Sequence, residues 1–573
     1  MMRPVFVAAF ALLLAACGKQ ESATETTPVA APAGSEKPAP VTPTVEGRFA
    51  GEIKAEDFAA RLKKLSSDQF EGREPGTIGE RVTTNYIKDQ FERIGLKPGN
   101  NGNWFQTVPM VKTELIDPAS VRIEVTGSTG TQTFGIGADA VLNTLNGSMD
   151  VSIKDSDIVF AGYGVNAPDW NDYDGIDVKG KTVIVLVNDP GWGNKDPELF
   201  KGPALTYYGR WTYKYEEAAR QGALGLLVVH ETEPASYGWP TVKNSNTNTM
   251  FDVVRDDPKS VHTPVEGWLQ LDTTKALFKQ AGLDFDALKK QAQTRAFKPV
   301  VLKGASFSAD YAVDSEVITS QNIVGRVDGG KHSDEFVIYS AHWDHLGIGQ
   351  PDANGDTIYN GAVDNATGTA ALIELGRAFA HAPKPERTVV FLNVTAEEKG
   401  LLGSEYYSSR PLYPLAKTVA VINMDALDPT GVARNFTTSG SAQSDLLDAL
   451  IADGKAAGMA YVTDPHPEAG HFFRSDHFPF AKRGVPSLSY GSGNDWVEGG
   501  IEAGEAAGKD YVSKRYHQPA DEWQADWSFA GMVHDLPLLY QLGNDLANSR
   551  RWPEWGKDSE FRAIREASAA ERK

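Results

Sequence analysis

Three continuous apolar segments in the second half of the chain restrict its fold. They are residues 336–340, 388–394 and 418–423, and uninterrupted runs of this kind are typical of strands covered on both faces. The apolar spacing between them predicts helices at 368–380 and 403–409. Strands that alternate with helices in this way usually form a parallel sheet. The sequence therefore predicts an α/β sandwich with a mostly parallel sheet.

Each of these strands is followed by a side chain that can bind a metal. His342 and Asp344 follow the first strand, Glu397 and Glu398 follow the second, and Asp425 follows the third. In open α/β sheets, ligands bind beyond the carboxyl ends of the strands. We therefore expect these side chains to lie close together at one edge of the sheet.

Two further donors complete the group. Asp364 lies in the loop before the helix at 368–380, and His517 lies in a His-x-Pro segment far downstream. Carboxylates that converge closely repel one another unless a cation compensates them. Imidazole and carboxylate donors without thiolates suit a catalytic Zn²⁺ site, and about five ligands can hold two ions that share a carboxylate. The sequence predicts two Zn²⁺ ions per subunit.

These residues, in this order, resemble peptidase family M28, which comprises co-catalytic zinc exopeptidases, in its branch with an inserted protease-associated domain. The segments 70–76 and 474–477 also match motifs of that family. The resemblance extends over about residues 50–548. It implies an α/β zinc-exopeptidase sandwich with an inserted β-rich protease-associated domain. In the other di-zinc family with a Glu-Glu pair, M20, the extra domain follows that pair, whereas here the insertion precedes His342, so M20 is disfavoured.

The resemblance also implies a role for each donor. His342 and Asp425 would hold one zinc ion, Glu398 and His517 would hold the other, and Asp364 would bridge the two. These assignments imply peptides as substrates.

Further roles follow from the same resemblance. Glu397 would be the general base, Asp344 would orient a histidine ligand, and Tyr516 could donate a hydrogen bond to the oxyanion of the tetrahedral intermediate. Ser475 and Asp476 would shape the wall of the pocket. Three nearby histidines are interpreted as structural: His345, His471 and His477.

The predicted domains follow from these motifs. The peptidase domain comprises residues 49–125 and 310–548, and the inserted domain comprises residues 126–309, where short strands and the segments around 160–164 and 217–225 match a protease-associated domain. Residues 549–573 are a charged tail. The Asp- and Asn-rich segment 352–356 is interpreted as a polar surface turn rather than a calcium loop.

The N-terminal residues 1–17 have the layout of a bacterial lipoprotein signal. An apolar stretch at residues 5–16 is too short to span a bilayer, and residues 14–17 resemble a lipobox that ends in Cys17, the single cysteine of the chain. A lipid on Cys17 would anchor the protein in the cell envelope. Gly18 in place of Asp favours the outer membrane, facing the periplasm or the cell surface. Residues 18–48, rich in Ala, Pro and Thr, are predicted to be a flexible linker.

The charge of the chain limits its partners. The sequence has 56 Lys and Arg against 76 Asp and Glu, a formal net charge of −20. An acidic surface of this kind repels phosphate backbones, so nucleic acid is excluded as a partner. The expected partners are peptides and, through the lipid, a membrane. The sequence does not predict an oligomeric state.

A second sequence pattern indicates which end of the peptide is cleaved. M28 relatives that remove C-terminal glutamate hold its carboxylates with arginines, several of which follow a Gly-Ile/Val segment, but residues 484–514 contain no Arg. Four acidic residues stand there instead and would favour a free α-ammonium group: Asp495, Glu498, Glu502 and Glu505. Removal of N-terminal residues is therefore the leading prediction. Arg210 could still hold a carboxylate, so a carboxypeptidase or a dipeptidase stays open as an alternative. A glutaminyl cyclase and a catalytically silent peptide-binding lipoprotein also stay open, although the filled base and ligand positions favour catalysis.

Overall fold

A computed structural model describes residues 53–194, 196–440 and 443–572. The lipobox cysteine Cys17 and the linker 18–48 lie outside the described residues, so their assignments stay predictions. Within the described ranges, no helix combines the length and the apolar character that a membrane crossing requires.

A sheet with four parallel central strands forms the scaffold of the second half of the chain. In spatial order these strands are Arg387–Val394, His332–His342, Thr418–Met424 and Ser487–Ser492. Every residue of Arg387–Val394 and of Thr418–Met424 is buried, as expected for strands covered on both faces. The predicted α/β class with a mostly parallel sheet is confirmed.

Further strands extend this sheet on both sides. On one side, the long strand Val300–Val327 pairs antiparallel with Arg387–Val394 and with Phe105–Leu115, which in turn pairs with Met250–Val253. The remaining strands of this sheet are short: Lys97–Pro98, Asn435–Thr438 and Ala460–Tyr461. A separate two-stranded ribbon joins Gly347–Ile348 to Ile358–Tyr359.

Helices cover both faces of the sheet. Thr367–His381, where the sequence predicts a helix at 368–380, contacts three of the central strands and is buried from Thr367 to Phe379. Leu402–Ser409 follows the loop that carries Glu397. The other helices of this part are Ala55–Leu65, Ile78–Arg93, Asp445–Ala456, Phe478–Ala481, Gly500–Lys514, Ala530–Asn548 and Arg562–Ala567.

The inserted region has a sheet and a hydrophobic core of its own. Its central strands Asp150–Phe160, Thr182–Leu186, Gly225–Val229 and Val265–Leu269 are parallel and lie in this order. Its other strands are Arg122–Gly127, Gly130–Thr133, Ala140–Asn143 and the ribbon of Asn166–Ala167 with Trp170–Asn171. Its helices are Trp211–Arg220, Thr232–Ala235, Trp239–Asn246, Leu271–Gln280 and Phe285–Ala292.

One strand connects the two sheets. The first half of Val300–Val327 pairs with Asp150–Phe160 and Arg122–Gly127 of the inserted region, and its second half pairs with Phe105–Leu115 and Arg387–Val394 of the first sheet. The predicted domain boundary between residues 309 and 310 falls inside this strand. The inserted region is therefore joined to the first sheet by a strand that the two sheets share.

The segment predicted to be a charged tail contributes to the core. Trp555 and Phe561 are 2% and 8% exposed and belong to the hydrophobic cluster around the central strands of the first sheet. The buried Arg565 donates a hydrogen bond to the carbonyl of Thr418 at 3.1 Å. The end of the chain thus contacts the first residues of the central strand Thr418–Met424.

Candidate metal centre

Five donors from five separate segments meet at the carboxyl end of the parallel strands. His342 ends its strand and Asp425 follows the next one, while Glu398 leaves the strand Arg387–Val394 by a short turn. The other two, Asp364 and His517, come from loops, and His517 lies far downstream of Glu398 in the sequence.

Asp364 lies between the two histidines. Its Oδ1 atom is 3.3 Å from Nε2 of His342, and its Oδ2 atom is 3.3 Å from Nε2 of His517. The residue is 4% exposed. Its position is held by Asp521, whose carboxylate accepts the backbone N–H groups of Val363 and Asp364 at 3.0 and 3.1 Å. One carboxylate can therefore face two ions at once.

His342 and Asp425 form the first half of the centre. Nε2 of His342 lies 3.2 Å from Oδ1 of Asp425, and Ser475 donates a hydrogen bond to the other oxygen of Asp425 at 2.6 Å. Although burial opposes it, the carboxylates of Glu397 and Asp425 raise the pKa of His342 well above its usual value. The surroundings of this imidazole favour positive charge.

Glu398 and His517 form the second half. Nε2 of His517 lies 3.0 Å from Oε2 of Glu398, and the other oxygen of Glu398 lies 2.5 Å from Nδ1 of His345. Although burial and Asp364 raise it, the two imidazoles lower the pKa of Glu398 to about 2. His345 thus contacts the oxygen of Glu398 that does not face His517.

These donors fit zinc. His342 belongs to two groups whose donor atoms lie within 4.8 Å of one another. The first group consists of His342, Asp364 and Glu398. The second consists of His342, Glu397 and Asp425. The buried Nε2 atom of His517 has no hydrogen-bond partner among the described residues, although two carboxylates face it. Nitrogen and oxygen donors without thiolates, with excess negative charge at short range, are suited to Zn²⁺.

Glu397 lies beside this group on a short turn. The preceding residue, Ala396, has a positive φ of 52°, and the turn aims the two adjacent glutamates at different atoms. Oε2 of Glu397 is 3.8 Å from Nε2 of His342, and the side chain is 10% exposed. Burial raises the pKa of Glu397 well above its usual range; His342 opposes the shift and Asp425 adds to it. This carboxylate can therefore accept a proton readily.

Asp344 lies closer to the ring of His342 with its backbone carbonyl than with its carboxylate. Its carboxylate is 3.7 Å from Nδ1 of His342, whereas its backbone carbonyl is 3.2 Å from the same atom. The imidazole N–H therefore donates to the carbonyl. The carboxylate instead accepts the backbone N–H groups of Glu397 and Glu398 at 3.1 and 3.4 Å.

Two arginines border the cleft next to Glu397. Arg210 comes from the inserted region and Arg474 from the loop before the helix Phe478–Ala481, and Tyr237 and Tyr516 line the same cleft. Arg474 donates to the hydroxyl of Tyr516 at 3.4 Å. Burial and the neighbouring cation of Arg474 lower the pKa of Arg210 to about 10, so both side chains carry charge at neutral pH.

The acidic residues of the loop after 484 are placed elsewhere. Asp495, Glu498, Glu502 and Glu505 are all described, and none of them lines the cleft beside Glu397. Asp495 pairs with Arg434 at 3.2 Å. The lack of arginines in residues 484–514 does not leave the cleft without cations, because Arg210 and Arg474 come from other segments.

Arg73 also contributes to the site, and the sequence indicated it only as part of the 70–76 motif. It is 1% exposed and donates to the backbone carbonyls of Trp343, Asn360 and Gly361 at 2.8, 2.6 and 2.8 Å. The guanidinium thus ties the loop after His342 to the loop before Asp364.

The sequence of this region matches a known family. A sequence model of peptidase family M28 matches residues 322–540, which contain all five donors and Glu397. Aminopeptidase NAALADL1 of Mus musculus is 35% identical over 116 residues, 19% of this chain and 14% of that protein. The probable glutamate carboxypeptidase AMP1 of Arabidopsis thaliana is 24% identical over 423 residues, 67% of this chain and 53% of that protein. The chain thus spans from a small part to about half of the length of these relatives.

A solved structure shares the fold. The aminopeptidase from Aneurinibacillus sp. strain AM-1 superposes with a TM-score of 0.51 at 17% sequence identity, covering 88% of this chain and 96% of that chain. At this level of identity the likeness concerns the arrangement of helices and strands.

Proposed function

Since residues 322–540 match the sequence model of peptidase family M28, we propose that the protein is a zinc-dependent exopeptidase that removes N-terminal residues from short peptides. The observation that carries the proposal is the position of Asp364, with each of its oxygens 3.3 Å from a different histidine nitrogen. This arrangement supports a pair of ions with a shared carboxylate, which is the usual design of a two-metal hydrolase.

The residues divide the chemistry among them. His342 and Asp425 would hold one ion and Glu398 and His517 the other, and zinc bound there would polarise the scissile carbonyl and lower the pKa of a water. Glu397 would take the proton of the attacking water on its Oε2 atom and pass it to the leaving amine. Its Oε2 atom lies 3.8 Å from Nε2 of His342, next to the position that the first ion would occupy.

Tyr516 supports the transition state in this proposal. Its ring lies against His517, with centroids 4.0 Å apart, and its hydroxyl accepts a hydrogen bond from Arg474. A hydroxyl polarised in this way is a good donor to the developing oxyanion.

The arginine pair supports a second candidate, a dipeptidase or carboxypeptidase. Two guanidinium groups in one cleft are the usual means of holding a carboxylate, and Arg210 and Arg474 both border the cleft beside Glu397. In a dipeptide the leaving residue carries both the new amine and the free carboxylate. Short peptides therefore fit both an enzyme that removes N-terminal residues and a dipeptidase or carboxypeptidase.

Peptides blocked at one end distinguish the candidates. The zinc-loaded protein is incubated with free, N-acetylated and C-amidated di- to tetrapeptides, and mass spectrometry identifies the residue released. Cleavage that acetylation blocks supports removal of N-terminal residues. Release of the C-terminal residue from acetylated peptides supports the second candidate. A Glu397→Ala variant serves as the control for contaminating peptidases, and no cleavage of any peptide by the wild-type protein would overturn both candidates.

We further propose that the enzyme acts in the cell envelope, anchored by a lipid on Cys17. Support comes from the lipobox-like residues 14–17 alone. Expression with an alkyne-tagged fatty acid should label the wild-type protein and leave the Cys17→Ser variant unlabelled. Equal labelling of both would contradict the anchor.

A further inference from the structure

The helix Trp239–Asn246 of the inserted region ends beside a predicted zinc ligand. Oγ of Ser245 lies 2.7 Å from Nδ1 of His517, and the side chain of Asn244 donates to the backbone carbonyl of His517 at 2.9 Å. Two consecutive residues of the inserted region thus contact both the ring and the backbone of one histidine of the peptidase domain.

The ring orientation assigns a direction to the first of these bonds. Nε2 of His517 faces Glu398 and Asp364 at 3.0 and 3.3 Å, so this atom is the one that would bind a metal. The proton of the neutral imidazole then resides on Nδ1 and is donated to Ser245. A hydrogen bond on the second nitrogen fixes the tautomer and the plane of a histidine ligand.

The backbone of His517 also requires support. Its φ is 55°, in the left-handed region that non-glycine residues rarely adopt. The hydrogen bond from Asn244 holds the carbonyl of this residue in place. Conformations of this kind persist where the surroundings over-determine them.

The same helix end contacts the turn that carries the other ligand. Lys399, which directly follows Glu398, is 7% exposed and donates to the carbonyl of Ser245 and to Oδ1 of Asn248, both at 2.7 Å. Both residues of the second half of the centre are therefore connected to one short segment of the inserted region, residues 244–248.

We propose that Ser245 is a positioning residue for the second zinc position, and that the inserted region thereby sets the zinc affinity of Glu398 and His517. The inference rests on the proposed function. Removal of the hydroxyl leaves the buried Nδ1–H of His517 without an acceptor and frees the ring to rotate. Loss of such a partner typically weakens metal binding by about 10- to 100-fold.

The test measures zinc binding rather than activity. The full-length protein is stripped with a chelator and titrated with zinc against a competing indicator, for the wild type, Ser245→Ala, Ser245→Thr and Thr247→Ala. Thr247 is a matched control, because its hydroxyl lies at the same helix end but donates to the carbonyl of Lys243 at 2.9 Å. Cobalt titration gives a second readout, since the absorption of the ion at His517 reports the geometry of that site.

We expect one of the two zinc ions to bind about 10- to 100-fold more weakly to S245A than to the wild type, while the affinity for the other ion stays unchanged. S245T should restore the affinity. T247A should bind like the wild type. Wild-type affinity of S245A for both ions overturns the inference and leaves the proposed function intact. Equal loss of both ions also overturns it in favour of a structural role. A wild-type protein that binds no zinc overturns the inference and the proposed function together.

Discussion

The carboxylate of Asp344 accepts the backbone N–H of Glu397 at 3.1 Å. Its second oxygen accepts the N–H of Glu398 at 3.4 Å, and its carbonyl is 3.2 Å from Nδ1 of His342. One residue thus connects the histidine at the end of one strand to the two glutamates at the end of its neighbour. The distance between base and ligands depends on this connection.

Asp344→Asn should therefore impair turnover. The amide replaces one acceptor oxygen with a donor that opposes a backbone N–H, so the turn that carries Glu397 shifts. We expect kcat to fall by about 10- to 100-fold, measured with the best peptide at saturating zinc. Asp352→Asn is the control, because Asp352 accepts the N–H groups of Asn354 and Asp356 in an exposed turn at 2.7 and 2.9 Å. Equal kcat values for both variants would contradict this role of Asp344.

Glu397→Gln should separate proton transfer from metal binding. The amide cannot take a proton from water, so kcat should fall by about 10²- to 10⁴-fold, while both zinc ions are retained. Glu398→Gln provides the contrast, since Glu398 faces His517 at 3.0 Å and its neutralisation should lower the zinc content. Elemental analysis together with kcat distinguishes the two, and loss of zinc from E397Q would show that Glu397 is a ligand.

The central part of the fold was predictable because its signal is local. Continuous apolar runs identify the strands Arg387–Val394 and Thr418–Met424, which are buried throughout. The strand Val300–Val327 was not predictable as one element, because its 28 residues alternate in burial and pair with different partners along their length. Which sheet a half-buried strand joins depends on distant segments.

The residues of the site were likewise predictable only where their signal is local. Strand ends and a short loop indicate His342, Asp364, Glu398 and Asp425, because the carboxyl ends of parallel strands share one edge. The partner of His517, Ser245, lies 272 residues away in sequence, and nothing in the local pattern around a serine at a helix end indicates such a contact. The meeting of Arg210 with Arg474 in one cleft likewise depends on how the inserted region docks.

Arg210→Met should weaken the binding of peptides with a free C-terminal carboxylate. A charge-assisted hydrogen bond contributes roughly 1.5–3 kcal/mol, so KM should rise by about 10- to 100-fold for free peptides and change little for amidated ones. Arg220→Met is the matched control, since Arg220 pairs with Glu217 at 2.8 Å and is not among the residues that line the cleft. An equal effect of R210M on amidated peptides would exclude carboxylate binding by Arg210.

Because of Glu80, the free energy of unfolding should decrease as the pH rises from 4.5 to about 7. Glu80 lies in the first turn of Ile78–Arg93, accepts a hydrogen bond from Ser320 at 2.9 Å and is 6% exposed, and burial raises its pKa from 4.5 to about 7. Between these two pH values the folded chain keeps the proton and the unfolded chain loses it. The unfolded state binds fewer protons in this window, so the free energy of unfolding decreases with increasing pH.

Glu80→Gln removes this titration, so the stability of the variant relative to the wild type should rise from pH 5 to pH 8 by roughly 2 kcal/mol. Urea unfolding at both pH values, with a chelator present to exclude zinc-linked protons, measures the difference. Glu92→Gln on the same helix is the control, because its side chain is 65% exposed and its removal should leave the difference between the two pH values unchanged. A pH-independent effect of E80Q would mean that the carboxylate stays charged in the folded state, stabilised by its hydrogen bonds to Gly76 and Ser320.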